Sequence, residues 1–370
     1  MTIALGTETL YLAYVNHACG MFKIASYRLQ HAYDQDILQL SPFVKNTIIH
    51  KKIVAAIKMH KRALELIKKF RDHVRNNWSL LADNYEIEIM SKQGSIGKLF
   101  TILIIILVYI ITVFVILTQY ISILLDIVIP LNESRPRKFL FPIEYFIDQQ
   151  KYFYIITIHI AIGLSCIATS GVATESFSLA NALHAFGLFK IASYRMKYIL
   201  SDSNPQMHTA KKYAMSHNRI IAAVDFHRKA IEFSELLKAS FGQMYLVLFV
   251  ACVCSASINL FNLSRIITTE KEIVEVIISV LFIFIHIVYL TLANYAGQEF
   301  INYDTDFYRT ICNTKWYNAS LKTQKLLLFL IQKTTKCYKV DAGGMFSPCL
   351  EGLATGLSMS VSYFMVLRSA

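Results

Sequence analysis

Five apolar blocks, each long enough to cross a bilayer, set the limits on what this chain can become. They run from Leu99 to Ile129, Tyr152 to Leu179, Met244 to Leu263, Val274 to Leu292 and Gly343 to Leu367. A run of about 18 or more apolar residues marks a transmembrane helix. Lipid offers no hydrogen-bond partner to a bare peptide group, so each block is predicted to be helical. The second block opens on Lys151, Tyr152, Phe153 and Tyr154, the basic and aromatic mixture that sits at a membrane surface. The fold class predicted is all-α, a polytopic helical membrane protein.

Charge supplies a direction. Lys45 to Lys98 holds 12 Lys and Arg, Lys190 to Lys238 holds 9 and Arg309 to Lys339 holds 7. Pro130 to Lys151 holds only 4, and Arg265 to Lys271 only 2. Basic loops stay in the cytoplasm. The first block therefore runs from inside to outside, the helices extend into the cytoplasm, and the final block brings the C-terminus out. That topology is inverted relative to a G-protein-coupled receptor. The net charge of +12 is accounted for by these flanks, so orientation in a lipid bilayer is preferred over nucleic-acid binding. Asn132, in Asn132-Glu133-Ser134 on the expected outer loop, is the glycosylation candidate.

Other classes find little support. The seven cysteines are scattered without a CxxC pair, so neither a metal site nor a disulfide framework is expected, and no cofactor. The sequence shows no paired carboxylates and no HExxH, GxSxG or P-loop pattern, which argues against an enzyme. The N-terminus has no basic stretch followed by an apolar core, so no cleavable signal is expected.

The chain also repeats itself once. His17 to Arg28 returns as His184 to Arg195 with ten of twelve positions identical, at an offset of 167. The same offset carries Thr7-Glu8 onto Thr174-Glu175, His50 onto His217, Ala55-Ala56 onto Ala222-Ala223 and His60 onto His227. A single offset over this distance is a duplication, and one return is not a solenoid. Residues 1–70 read as a duplicated fragment joined ahead of a body spanning 71–370; a tandem duplication with a cytoplasmic role is the alternative.

From Phe70 onward the chain resembles an insect odorant receptor of the hymenopteran-expanded type. The resemblance rests on His73-Val74-Arg75-Asn76-Asn77-Trp78, Gly97-Lys98-Leu99-Phe100 and Pro130-Leu131-Asn132-Glu133-Ser134-Arg135-Pro136. It continues through His184 to Arg195, Trp316-Tyr317, Leu326-Leu327-Leu328-Phe329 with Gln332, and Ser362-Tyr363-Phe364. It implies seven helices with the N-terminus inside, in a multi-pass plasma-membrane protein of the sensory dendrite. The five blocks would be the third to seventh helices. Residues 1–70, which resemble the late fourth helix, an inner loop and the early fifth helix, stand where the first two belong. The resemblance further implies a cation channel gated by small volatile odorants, as a heterotetramer with a co-receptor. A G-protein-coupled chemosensory receptor and a non-functional fused product remain the alternatives.

The resemblance assigns roles. The last helix lines the pore, with Val366 in the place of the hydrophobic gate and Ala370 at a second constriction. Its small residues suit close helix approach, and a ring of valines closes a pore by dewetting. Trp316, Tyr317, Leu327 and Phe329 fall in the anchor between subunits. An apolar pocket in the outer half of the helices would hold the odorant. Phe114 and Thr118 share one helical face there, and Ile156, His159 and Gly163 share another, making these five the pocket candidates.

Overall fold

The computed structural model describes residues 42–128, 148–199, 209–268 and 273–369. Eight α-helices lie among them. They are α1 (Pro42–Ser79), α2 (Asn84–Thr118), α3 (Ile121–Val128), α4 (Phe153–Lys197), α5 (Thr209–Thr268), α6 (Ile273–Asn313), α7 (Leu321–Thr334) and α8 (Leu350–Ser369). A 3-10 turn, Trp316–Asn318, precedes α7. Five helices, α2, α4, α5, α6 and α8, are long and apolar enough to cross a membrane. Asn132 and Ala370 fall outside the described residues, as does the first copy of the repeated motif.

Helix boundaries depart from the apolar blocks in two directions. Most helices run well beyond them: α4 has 45 residues and α5 has 60. At 1.5 Å per residue the latter is about 90 Å long, three times a bilayer's hydrocarbon thickness. Two blocks are shorter as helices than expected. The first breaks at Gln119 and Tyr120, between α2 and α3. The last does not begin at Gly343: Gly343 and Gly344 have φ of 64° and 73°, a left-handed turn, and the helix starts at Leu350. These two glycines therefore serve the turn and not helix packing.

The described residues divide into two compact units, 42–80 with 94–128 and 148–180, and 81–93 with 181–199, 209–268 and 273–369. In the first unit Leu99, Leu103, Ile106, Ile110 and Val113 of α2 are exposed, as suits a lipid-facing helix. Its buried side chains include Phe70, Val115, Phe153, Ile156 and Phe177, with Phe70 and Phe177 edge to face at 5.5 Å. Hydroxyls on α4 bond to their own helix: Thr157 to the Phe153 carbonyl, Ser165 to Ala161 and Thr174 to Ser170. That satisfies them without water. Thr169 likewise donates to Ser165, so Tyr109 of α2 is the donor in its 2.7 Å bond to the Thr169 hydroxyl.

The second unit is cored by aromatics: Phe186, Phe189, Phe226, Phe233, Phe300 and Phe307 are all buried. The repeated motif is a packing motif here. A side chain at Gly187 would collide with the Met90 sulfur, and Phe186 meets both Phe300 and Tyr303. Arg195 holds Glu86 in a two-pronged bond, Nε to Oε1 at 2.5 Å and Nη2 to Oε2 at 2.8 Å. Its guanidinium lies 4.0 Å from the centre of the Phe226 ring, and Glu86 also accepts the Ala82 amide at 2.9 Å. A buried ion pair keeps its charges only when both partners are bonded in this way.

Candidate functional site

The candidate residues fall on two surfaces, one in each unit. In the second unit, α8 is about 30 Å long and packs on α5 and α6 along Gly352, Gly356 and Ser360, spaced four residues apart and all buried. Gly356 lies against Phe249 and Val253 of α5. Ser257 of α5 donates across to the Ser360 carbonyl at 3.0 Å while also bonding the Val253 carbonyl of its own helix. Absent side chains let the backbones approach, and the hydroxyl fixes their register.

The start of α8 is held by α6. The Asn294 side-chain oxygen accepts the Cys349 amide at 3.2 Å, and the Gln298 oxygen accepts the Leu350 amide at 3.3 Å. Asn294 is oriented by donating to the Leu290 carbonyl at 2.8 Å. These are capping bonds supplied by a neighbouring helix instead of by the chain's own cap residue. Gly297 lies between the two capping residues, where any side chain would strike the Pro348 carbonyl.

The connector between α7 and α8 is pinned as well. Asp304 of α6 accepts the Tyr338 amide at 2.7 Å with one oxygen and meets His227 Nε2 at 2.7 Å with the other. The His227 ring stacks on Phe307 at 4.1 Å. Ser347 bonds the Val340 carbonyl, Phe346 stacks on Phe249 at 3.9 Å, and Asp341 accepts the Gly344 amide. Burial, and after it the charge of Glu235, pushes the Tyr338 phenol above its ordinary range.

The opposite face of α8 is open. Glu351, Ala354, Thr355, Ser358, Met359 and Ser362 line a shallow groove made by this one helix. Val366 continues the open side at 62% exposure. Glu351 is in the first turn, where a carboxylate favours the helix dipole. The hydroxyls of Thr355 and Ser362 bond back to Glu351 and Ser358. A membrane-length helix with polar, small residues outward and its packing face fixed is suited to border water or another chain.

The anchor candidates separate. Leu327 is fully buried, with Thr323 and Leu330, against the chain's own core. Its position on the inward face of α7 gives its side chain to that core. Trp316 is half-buried, while Tyr317 and Phe329 are exposed.

The pocket candidates separate too, in the first unit. Ile156 is buried at 2% and Thr118 is half-buried, its hydroxyl bonded to the Val115 carbonyl. Phe114, His159 and Gly163 are on exposed faces. Helical spacing groups residues by direction but does not say which direction is inward, and here the inward stripe of α4 is Phe153, Ile156, Thr157 and Ile160. Gln119, which the sequence reading passed over, is buried at 3% just past the end of α2. Its position beside the break of an apolar block was the available signal.

Among the described residues no group of three or more His, Cys, Asp or Glu could hold a metal. Five membrane-length helices, the last of them open-faced, define a polytopic helical membrane protein. The 7tm odorant receptor family model matches residues 79–361, and the chain belongs to that family of receptors, which are not enzymes. Solved structures show the same fold. The insect olfactory receptor OR5 from Machilis hrabei superposes with a TM-score of 0.57 at 13% identity, over 98% of this chain and 87% of that one. The same receptor in complex with eugenol gives 0.57 at 12% identity, over 100% and 87%. No curated protein sequence matches the chain.

Proposed function

We propose that this odorant receptor, of the hymenopteran-expanded type, is a subunit of an odorant-gated cation channel. It assembles with a co-receptor as a heterotetramer in the plasma membrane, with its C-terminus outside. The open polar face of α8 carries the reading. A carboxylate such as Glu351 on a membrane-length helix needs protein or water beside it. Four such helices around an axis would give a wet path. Val366 lies on the same open side and would form the hydrophobic gate. Ala370, the second constriction, is beyond the described residues. The basic flanks support the orientation, and a small volatile ligand accords with the eugenol complex of the Machilis receptor.

The test is current recording in cells expressing the chain with the co-receptor. Odorant-evoked cation current is expected, and Val366→Lys should leave the pore leaky without odorant. Unchanged gating and conductance in that variant at normal surface expression would remove α8 from the pore. A tag after Ala370 should be accessible on intact cells; an inaccessible tag would favour the G-protein-coupled alternative.

A further inference from the structure

Resting on the reading that this receptor binds volatile ligands, we propose that the Gln119 carboxamide is the polar anchor of its ligand site and selects alcohols and phenols over hydrocarbons of the same shape. Both the oxygen and the nitrogen of this side chain are shielded from solvent and have no hydrogen-bond partner in the chain. The backbone around it is satisfied: the Gln119 amide donates to the Ile116 carbonyl at 3.2 Å and the Tyr120 amide to Leu117 at 3.0 Å. Only the side chain is uncommitted. A buried amide of this kind is uncommon and calls for a partner.

The position shows what kind of partner fits. Gln119 occupies the two-residue break between α2 and α3, and the next side chain, Tyr120, stands edge-on to Phe153 at 6.2 Å. The break thus faces the first turn of α4, whose inward stripe is Phe153, Ile156 and Ile160, all buried. Val115 is one turn before Gln119 and also buried. Thr157, the polar member of the stripe, has its hydroxyl bonded to the Phe153 carbonyl. Gln119 is left as the one fully shielded side chain without a hydrogen-bond partner among these residues, which are otherwise mostly apolar. Recognition sites for small molecules have this composition, many apolar side chains and few polar groups that fix orientation.

The carboxamide has an accepting oxygen and a donating nitrogen. A hydroxyl both donates and accepts, so it complements whichever end of the amide it meets. An ether or ketone serves only the N–H end, and a hydrocarbon serves neither. A site whose polar group is left unpaired by the wrong ligand discriminates against that ligand.

The experiment uses the full chain in lipid nanodiscs, with ligand affinity read from the concentration dependence of thermal stabilisation. The probes are 4-propylphenol, its methyl ether and 4-propyltoluene, with empty nanodiscs correcting for partition into lipid. Wild-type protein should bind the phenol about ten-fold more tightly than the toluene, the scale of one buried hydrogen bond, with the ether between. Gln119→Leu should equalise the series by weakening the phenol alone, and Gln119→Glu should retain the preference. Equal wild-type affinities, or a phenol preference that survives in Gln119→Leu, would overturn the anchor while leaving ligand binding intact. A Gln119→Leu protein that is more stable with an unchanged series would show that the amide holds only structural water. Failure of the wild-type chain to bind any of the three would take down the ligand-binding reading as well. The wild-type series decides the matter even if a variant does not fold.

Discussion

Helices α2 and α8 both have membrane length, yet they are held by opposite means. On α2 the large apolar side chains point outward: Leu99, Leu103, Ile106, Ile110 and Val113 are exposed. On α8 the buried positions are Gly352, Gly356 and Ser360, and polar side chains share the open face. From Leu99 onward α2 presents a face suited to lipid and depends on apolar content, while particular contacts are confined mainly to its first turns, where Glu86 meets Arg195. The placement of α8 depends on particular atoms: two capping side chains from α6, one serine on α5 and glycines with no room for a Cβ. Loss of a single methylene should pass unnoticed on the first helix, while loss of a single oxygen should be felt by the second.

Substitutions can break or sharpen that contrast, read by thermal or denaturant unfolding of the purified protein in detergent. The largest effect is expected in the second unit away from α8. Arg195→Ala leaves Glu86 buried and unpaired and should cost roughly 3–5 kcal/mol; a negligible change would show that polar contacts do not specify this unit. Next comes a charge on the lipid-facing helix. Ile110→Lys should cost about 2.5–3.5 kcal/mol, measured as loss of membrane insertion, and normal insertion would mean that this face of α2 meets water. Asn294→Leu strands the Cys349 amide and should cost about 1–3 kcal/mol, with faster hydrogen exchange at Cys349 and Leu350. The smallest effect belongs to Ile106→Leu, expected within about 0.5 kcal/mol of wild type. A larger cost there would reveal a protein partner on α2 and end the comparison.

How much of this was legible in the sequence follows the same division. The length of the apolar blocks marked the five membrane-length helices, because suitability for lipid depends on composition and hardly on partners. The helix extensions past those blocks are polar and were not bounded by hydropathy. The start of α8 was misplaced by seven residues because Gly343 and Gly344 look apolar in a running average yet take left-handed φ. The caps on α8 come from Asn294 and Gln298, some fifty residues away in sequence, and no local signal announces them. The role of His184 to Arg195 was visible only as repetition; its physical content, the bond to Glu86 and the fit of Gly187 to Met90, needed the fold. The five pocket candidates shared faces by spacing alone, and three of them proved to lie on the outward side.

One attachment has a bearing on the chain's natural history. Asp304 takes the Tyr338 amide and Asn294 takes the Cys349 amide, so both ends of that stretch are tied to one rod, α6. The two ties are ten residues apart on α6, about 15 Å along its axis. Insertions or deletions between Tyr338 and Cys349 would have to bulge or tear one tie. Length variation in descendants of this gene should therefore collect elsewhere, leaving the tethered stretch at constant length even where its residues diverge.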